Sequence, residues 1–272
     1  MFIVTEDFSD IIEKASGKGR PISLTVIPTG WTNIVFEAEM PDGRYFFRFP
    51  RDKFWTEIMA KDVAFCNYVH GRTSFATPKS TLLRDSAGRP FSMYKKIDGT
   101  ALQFVFLEMG PEQIERTAKD IAKFINEISV LPVGDMPPAC KMLSSDFFTQ
   151  LSQTYFGNVA DEYYGRLLHA EKKNPVTIHG DMTPANILID DDGNVTGIID
   201  LSFAGIGGDL VDLSRIIGRV PPALGTAITT AMARDIDMDE LMSLVDVFRY
   251  LEIEYLKHIK NNCPEIILPP GL

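Results

Sequence analysis

Cysteine is scarce and poorly placed for cross-linking: the 272-residue chain carries three, Cys66, Cys140 and Cys263, odd in number and far apart. Such spacing supplies neither a disulfide framework nor a metal cluster and points to a reducing compartment. No uninterrupted apolar run is long enough to cross a membrane, so no membrane partner is expected. The opening residues MFIVTEDFSD contain acids and lack a basic segment leading into a long apolar one, so a secretory signal is not expected either. The expected location is the cytoplasm. Basic residues are outnumbered, 27 Lys and Arg against 37 Asp and Glu, for a net charge of −10. That balance excludes a phosphate backbone, and hence nucleic acid, as the partner. An acidic surface suits solubility and also attracts a cationic small molecule. Fixed-period repeats and low-complexity segments are absent as well. What remains is 45% hydrophobic residues in a chain long enough for one large domain or two lobes around a cleft.

The most informative stretch is Ile178-His179-Gly180-Asp181-Met182-Thr183-Pro184-Ala185-Asn186-Ile187-Leu188-Ile189, followed by Gly197-Ile198-Ile199-Asp200. Two short β-branched runs bracket a polar loop with an aspartate and, five positions on, an asparagine; a second aspartate ends the next apolar run. Read as a hairpin, this brings three oxygen-bearing side chains to one edge. Phosphoryl transfer needs such a set, because its catalysis is mostly positioning and charge neutralisation. One carboxylate accepts the proton of the incoming hydroxyl, the role that fits Asp181. An amide oxygen and another carboxylate hold Mg²⁺ against the phosphates, the roles that fit Asn186 and Asp200. Replacing Asp181 by Asn is expected to leave folding and nucleotide binding nearly intact while cutting turnover. The acidic run Asp190-Asp191-Asp192-Gly193-Asn194 lacks the alternating acids and closing glutamate of a calcium loop and reads as a hairpin turn.

The wording HGDMTPANIL…GIIDLSFAGIGGDLVDL resembles the aminoglycoside phosphotransferase family of small-molecule kinases, specifically from His179 to Leu213 and more loosely over nearly the whole chain. Phe-Arg-Phe-Pro and Tyr-Lys-Lys-Ile-Asp-Gly are closest to its 2″-phosphotransferase branch. The resemblance implies an α+β, two-lobed, protein-kinase-like fold: a small antiparallel sheet lobe over residues 1–97, then a mainly helical lobe over 98–272. It implies ATP or GTP as phosphate donor, Mg²⁺, a small and cationic acceptor with an aminoglycoside first, and a monomer. Asp212 resembles the aspartate that steadies the catalytic loop, and His179 a brace of that loop.

The N-terminal pattern suits that lobe. A helix over Thr5–Ala15 precedes strand-like runs Ile22–Ile27, Ile34–Glu39 and Tyr45–Phe49, with turns at Pro28-Thr29-Gly30 and Pro41-Asp42-Gly43. The first turn sits where the family covers the phosphates, so Gly30 would let the backbone approach while Thr32 and Asn33 donate hydrogen bonds. Arg48 stands where relatives usually carry a lysine, with Lys53 a possible substitute. Its acidic partner is expected on the helix from Trp55 to His70, where Asp62 interrupts the apolar stripe of Ile58, Phe65, Cys66 and Val69; Glu57 is the second choice. Thr81–Arg84 and Phe91–Ile97 form another hairpin running into the inter-lobe hinge. Backbone groups near Lys95 and Ile97 would bond the base there, and Tyr94 would back its pocket, an aromatic associated with GTP.

In the second half Pro111–Ser129 is amphipathic, and Ser144–Lys172 reads as one aromatic-striped helix. Leu201–Gly208 reads as a glycine-rich loop near the phosphates. Helices follow from Pro221 onward, with acids at Asp235, Asp237, Asp239, Glu240, Asp246, Glu252 and Glu254 that could bind acceptor ammonium groups. Two rivals stay open: a metabolic kinase for choline, homoserine or a thiosugar, and a nucleotide-binding pseudokinase suggested by Arg48.

Overall fold

The computed structural model describes residues 7–28, 30–157 and 161–262. Thr29, Cys263 and the first two residues of the expected N-terminal helix therefore lie outside the described residues.

That helix, α1 (Phe8–Ser16), starts where the Asp7 carboxylate accepts the Asp10 N–H and stops at Gly17, in the left-handed region at φ 68°. Five strands then form one antiparallel sheet in the order β1-β2-β3-β5-β4: β1 (Ser23–Ile27), β2 (Asn33–Met40), β3 (Gly43–Pro50), β4 (Thr81–Arg84) and β5 (Pro90–Lys95). Register separates its faces, because side chains alternate along a strand. Phe36 opposes Phe47, which opposes Met93, and with Ile34, Ala38, Phe49 and Phe91 these pack under Phe8 and Ile12 of α1. Val35 opposes Arg48, which opposes Ser92, so the other face carries Arg48, Phe46, Ser92 and Tyr94.

Against that second face lies α2 (Lys53–Val69), capped by Asp52, whose carboxylate accepts the Trp55 N–H at 3.0 Å. Its expected stripe is buried, and Trp55, Ile58, Phe65 and Cys66 belong to the larger core of the C-terminal half. That core is built by α3 (Pro111–Ser129), α4 (Ser144–Tyr155), α5 (Asp161–Lys173), α6 (Val211–Ile217), α7 (Pro222–Ala231) and α8 (Met238–Asn262). The five-stranded sheet ends at Lys95; the next strand, β6 (Thr100–Ala101), pairs elsewhere, with β8 (Ile187–Ile189). Among the described residues, no helix is long and apolar enough to cross a membrane.

Three expectations are corrected. The helix expected over Ser144–Lys172 is two helices, because Gly157 sits at φ 85°, a conformation no helix interior accepts. The runs flanking the polar loop are not partners: β7 (Pro175–Ile178) pairs with β10 (Gly205–Gly208), while β8 pairs with β9 (Val195–Ile198). Part of the glycine-rich loop is thus a strand. Its glycines permit this approach, since a Cβ on Gly207 would lie 2.5 Å from Ile178 Cδ1 and one on Gly208 2.6 Å from Ala170 Cβ.

Candidate active site

The polar loop from Ile178 to Ile187 is held from beneath by two buried groups. The Asp212 carboxylate accepts the His179 N–H at 2.8 Å and the Gly180 N–H at 2.7 Å. Gly180 is at φ 78°, and a Cβ there would stand 2.3 Å from the Phe203 carbonyl oxygen, so only glycine fits. His179 Nδ1 accepts the Asp181 N–H at 3.2 Å, which leaves Nε2 carrying the ring hydrogen and donating to the Ile199 carbonyl at 3.0 Å. Burial pushes the His179 imidazole down to about 4, so it is neutral and braces the loop. Burial pushes the Asp212 carboxyl up to about 6, opposed by the two backbone N–H groups it accepts.

Asn186 donates its side-chain nitrogen to the Asp181 carbonyl and to Asp181 Oδ2, both at 2.9 Å. Its amide oxygen is the unspent atom. The Asn186 carbonyl accepts the Ile199 N–H at 2.9 Å, one residue before Asp200. The loop and the end of β9 thereby bring Asp181, Asn186 and Asp200 together, although β7 and β8 form no hairpin. The Asp200 side chain is 33% exposed, and its backbone is left-handed at φ 62°. An amide oxygen and a carboxylate, both hard oxygen donors, fit a small divalent cation such as Mg²⁺.

Arg48 lies buried on the inner sheet face and spends two nitrogens on three partners. Nη1 donates to Asp62 Oδ2 at 2.5 Å; Nη2 donates to Asp200 Oδ1 at 2.7 Å and to Ser202 Oγ at 2.8 Å. Burial works against the guanidinium charge, and the Asp200 and Asp62 carboxylates outweigh it, so Arg48 stays charged. Burial likewise disfavours the Asp200 anion, but Arg48 and the Ser202 hydroxyl hold its carboxyl below the usual range. Glu57 and Lys53 do not join this cluster: Lys53 is 91% exposed and reaches only Glu57, at 3.8 Å.

The remaining sequence-nominated residues divide by location. Tyr94 is buried on the inner face with its ring 5.6 Å from Phe46. Lys96 N–H donates to the Arg44 carbonyl at 2.9 Å, so backbone groups of Lys95 and Ile97 face away from β3. The carbonyl of Gly30 accepts Arg51 Nε at 3.0 Å, which ties the loop back toward β3. Asn33 is not presented by that loop. It is 3% exposed, with its nitrogen donating to Thr32 Oγ1 at 2.8 Å and its oxygen buried without a partner. At the first position of β2, the inward turn of the strand buries it.

Two buried cations escaped the sequence reading. Arg215 on α6 pairs with Asp181 Oδ1. Lys61 on α2 lies over the Phe147 ring at 4.6 Å and donates to the Ser202 carbonyl at 3.4 Å; burial pushes its ammonium down to about 8. Lys61 adjoins Asp62 on α2 and Arg215 lies three residues after Asp212 on α6, so neither stands out as a lone charge in an apolar run.

The fold has solved counterparts. The GDP and kanamycin complex of APH(2″)-IIIa aligns over 96% of this chain and 94% of its own at 19% identity and TM-score 0.74. The streptomycin–ATP ternary complex of APH(2″)-IIa aligns over 93% and 91% at 13% identity and TM-score 0.67. A macrolide 2′-phosphotransferase from Brachybacterium faecium aligns over 97% and 99% at 16% identity and TM-score 0.63. At these identities the likeness establishes the α+β, kinase-like fold. The family model of the phosphotransferase enzyme family matches residues 23–242, which takes in Arg48, the polar loop, Asp200 and Asp212, and the chain belongs to that family.

Proposed function

We propose that this enzyme transfers the γ-phosphoryl group of Mg²⁺-bound ATP or GTP to a hydroxyl of an amine-bearing antibiotic, with an aminoglycoside as the first candidate, acting as a cytoplasmic monomer. The observation that carries the reading is Asn186, bonded to Asp181 with its amide oxygen unspent and one rung from Asp200. Asp181 takes the hydroxyl proton as the acceptor oxygen bonds to phosphorus and the bond to the β-phosphate breaks, releasing nucleoside diphosphate. Asn186 and Asp200 would hold a Mg²⁺, which when bound would supply charge neutralisation on the phosphates. Arg48 keeps N–H donors beyond its three bonds and lies on the inner sheet face, where a triphosphate would pass. Tyr94 on the same face supports GTP as a donor.

A second acceptor reading, a macrolide-like molecule with fewer amines, is favoured by how the C-terminal acids are spent. Asp237 and Glu240 pair with Lys173, Glu252 with Arg219 and Glu254 with Lys257. These four of the seven C-terminal acids already face a cation, which lowers the charge left for a polycation.

A coupled nucleotide-turnover screen with ATP and with GTP tests both, against aminoglycosides, a macrolide, choline and homoserine, with and without chelator. Chelator-sensitive phosphorylation of an antibiotic is expected. Turnover confined to choline or homoserine would replace the reading with a metabolic kinase, and nucleotide binding without transfer to any acceptor with a pseudokinase.

A further inference from the structure

Ser202 lies two residues beyond Asp200, 2% exposed. Its hydroxyl donates to Asp200 Oδ1 at 2.7 Å and accepts from Arg48 Nη2 at 2.8 Å, while the same Nη2 reaches Asp200 Oδ1 at 2.7 Å. Three atoms therefore close a triangle in which the single hydroxyl hydrogen and one lone pair are both assigned. The Ser202 carbonyl accepts from Lys61 Nζ at 3.4 Å, and Arg48 Nη1 is fixed on Asp62 at 2.5 Å. Lys61 and Asp62 are neighbours on α2, so this helix holds the segment through Lys61, and Arg48 through Asp62. Asp200 itself sits at φ 62°, which a non-glycine residue keeps only where its surroundings hold it.

We propose that Ser202 is a positioning residue which, with Arg48 as its matched partner, spends Oδ1 of Asp200 and thereby fixes Oδ2 as the oxygen offered to the metal. Arginine suits this arrangement where lysine would not. Its planar fork holds Asp62 with one nitrogen and the Ser202–Asp200 pair with the other, whereas an ammonium would have to serve all three acceptors from a single nitrogen. The serine and the arginine are then two halves of one device, and neither substitution is expected to act alone.

The inference rests on the proposed reading of Asp200 as a metal ligand, and the experiment separates the two. Mg²⁺ dependence is measured by calorimetric binding of a non-hydrolysable nucleotide and by turnover, for wild type, Ser202→Ala, Arg48→Lys, the double variant and Asp200→Ala. Ser202→Ala is expected to raise the half-saturating Mg²⁺ roughly tenfold in both assays, as fits a lost hydrogen bond to a charged group. Its kcat at saturating Mg²⁺ is expected to fall less than about threefold. In the double variant the two effects are expected to fall short of their product by at least about fivefold, the mark of a coupled pair. Ser202→Gly removes the same hydroxyl and replaces the alanine variant if thermal melting shows that one to be misfolded. An unmoved Mg²⁺ dependence in the serine variants, or effects that multiply, overturns the inference while Asp200→Ala still loses Mg²⁺ dependence. If Asp200→Ala keeps the wild-type Mg²⁺ dependence, the metal reading falls, and this inference with it.

Discussion

At the scale of single residues, the site is a set of buried charges whose protonation is tied to folding. Asp181 shares its carboxylate between Asn186 and Arg215, and Arg215 is buried. Asp181→Asn therefore does more than remove a base. The sequence alone suggested a nearly silent effect on folding, but Arg215 would lose its anion, and we now expect a loss of about 2 kcal/mol in urea unfolding. Turnover per folded molecule should still fall at least about a hundredfold, the usual weight of a general base; turnover near wild type would remove Asp181 from that role. His179 and Asp212 titrate in opposite senses. His179 is depressed from 6.5 to about 4, so the stability linked to its neutral form is present above 6.5 and is lost as pH falls toward 4. Asp212 is raised from 3.8 to about 6, so its contribution is present below 3.8 and is lost as pH rises through 6. Each gap corresponds to roughly 3 kcal/mol and the two oppose each other between pH 4 and 6. Asp212→Asn should unmask the histidine: unfolding free energy measured from pH 6.5 to 4 should drop more steeply than in wild type. Parallel curves would rule out the offset.

At the scale of elements, much was legible and the exceptions share a cause. β-Branched and aromatic content between turn signals gave β2, β3 and β5, and the 3.6-residue period gave α2 and α3, because these signals lie within each segment itself. Asp181, Asn186 and Asp200 were legible because loop chemistry there depends on spacing along the chain. What escaped depends on contacts distant in sequence. A run of glycines reads as a loop, yet β10 is a strand because β7 and α5 come too close for side chains. Lys61 and Arg215 went unread because only the tertiary fold buries them. The glycine strand yields an ordering. A Cβ at Gly207 would meet the flexible tip of Ile178, whereas one at Gly208 would meet the Ala170 backbone at 2.8 and 2.9 Å. Gly208→Ala should thus cost about 2 to 3 kcal/mol, more than Gly207→Ala, because backbone cannot step aside. Thermal melts of the two variants check the order, and a larger loss from Gly207→Ala would contradict the packing account.

At the scale of the whole molecule, the two cores do not follow the chain's own division. Chain order places α2 with the N-terminal sheet, and it packs against β3, β4 and β5, yet Trp55, Ile58, Phe65, Cys66, Tyr68 and Val69 belong to the helical core, while α1 closes the sheet's other face. A side chain from the C-terminal half reinforces that allegiance, the Tyr155 hydroxyl of α4 donating to Asp52 Oδ2 at 2.6 Å at the cap of α2, while on the sheet side the Trp31 ring centroid lies 6.2 Å from that of Tyr255 of α8. The buried charged cluster proposed as the active site therefore straddles a seam, with Arg48 on the sheet side and Asp62, Lys61, Ser202 and Asp200 on the other. Local stability follows packing rather than sequence order, so hydrogen exchange should reveal the partition. In nucleotide-free enzyme, amides of Ile58–Val69 should be protected to the same degree as those of α3 and α6. Amides of β1, an edge strand with largely exposed side chains, should exchange first. Adding Mg-nucleotide should slow β2, β3 and β5 more than α2, because the ligand would tie the sheet to a helix already anchored. If α2 exchanges together with β1–β3 and well ahead of α3, the helix belongs to the sheet energetically, and the Arg48–Asp62 contact is then internal to one lobe rather than the bond across the seam.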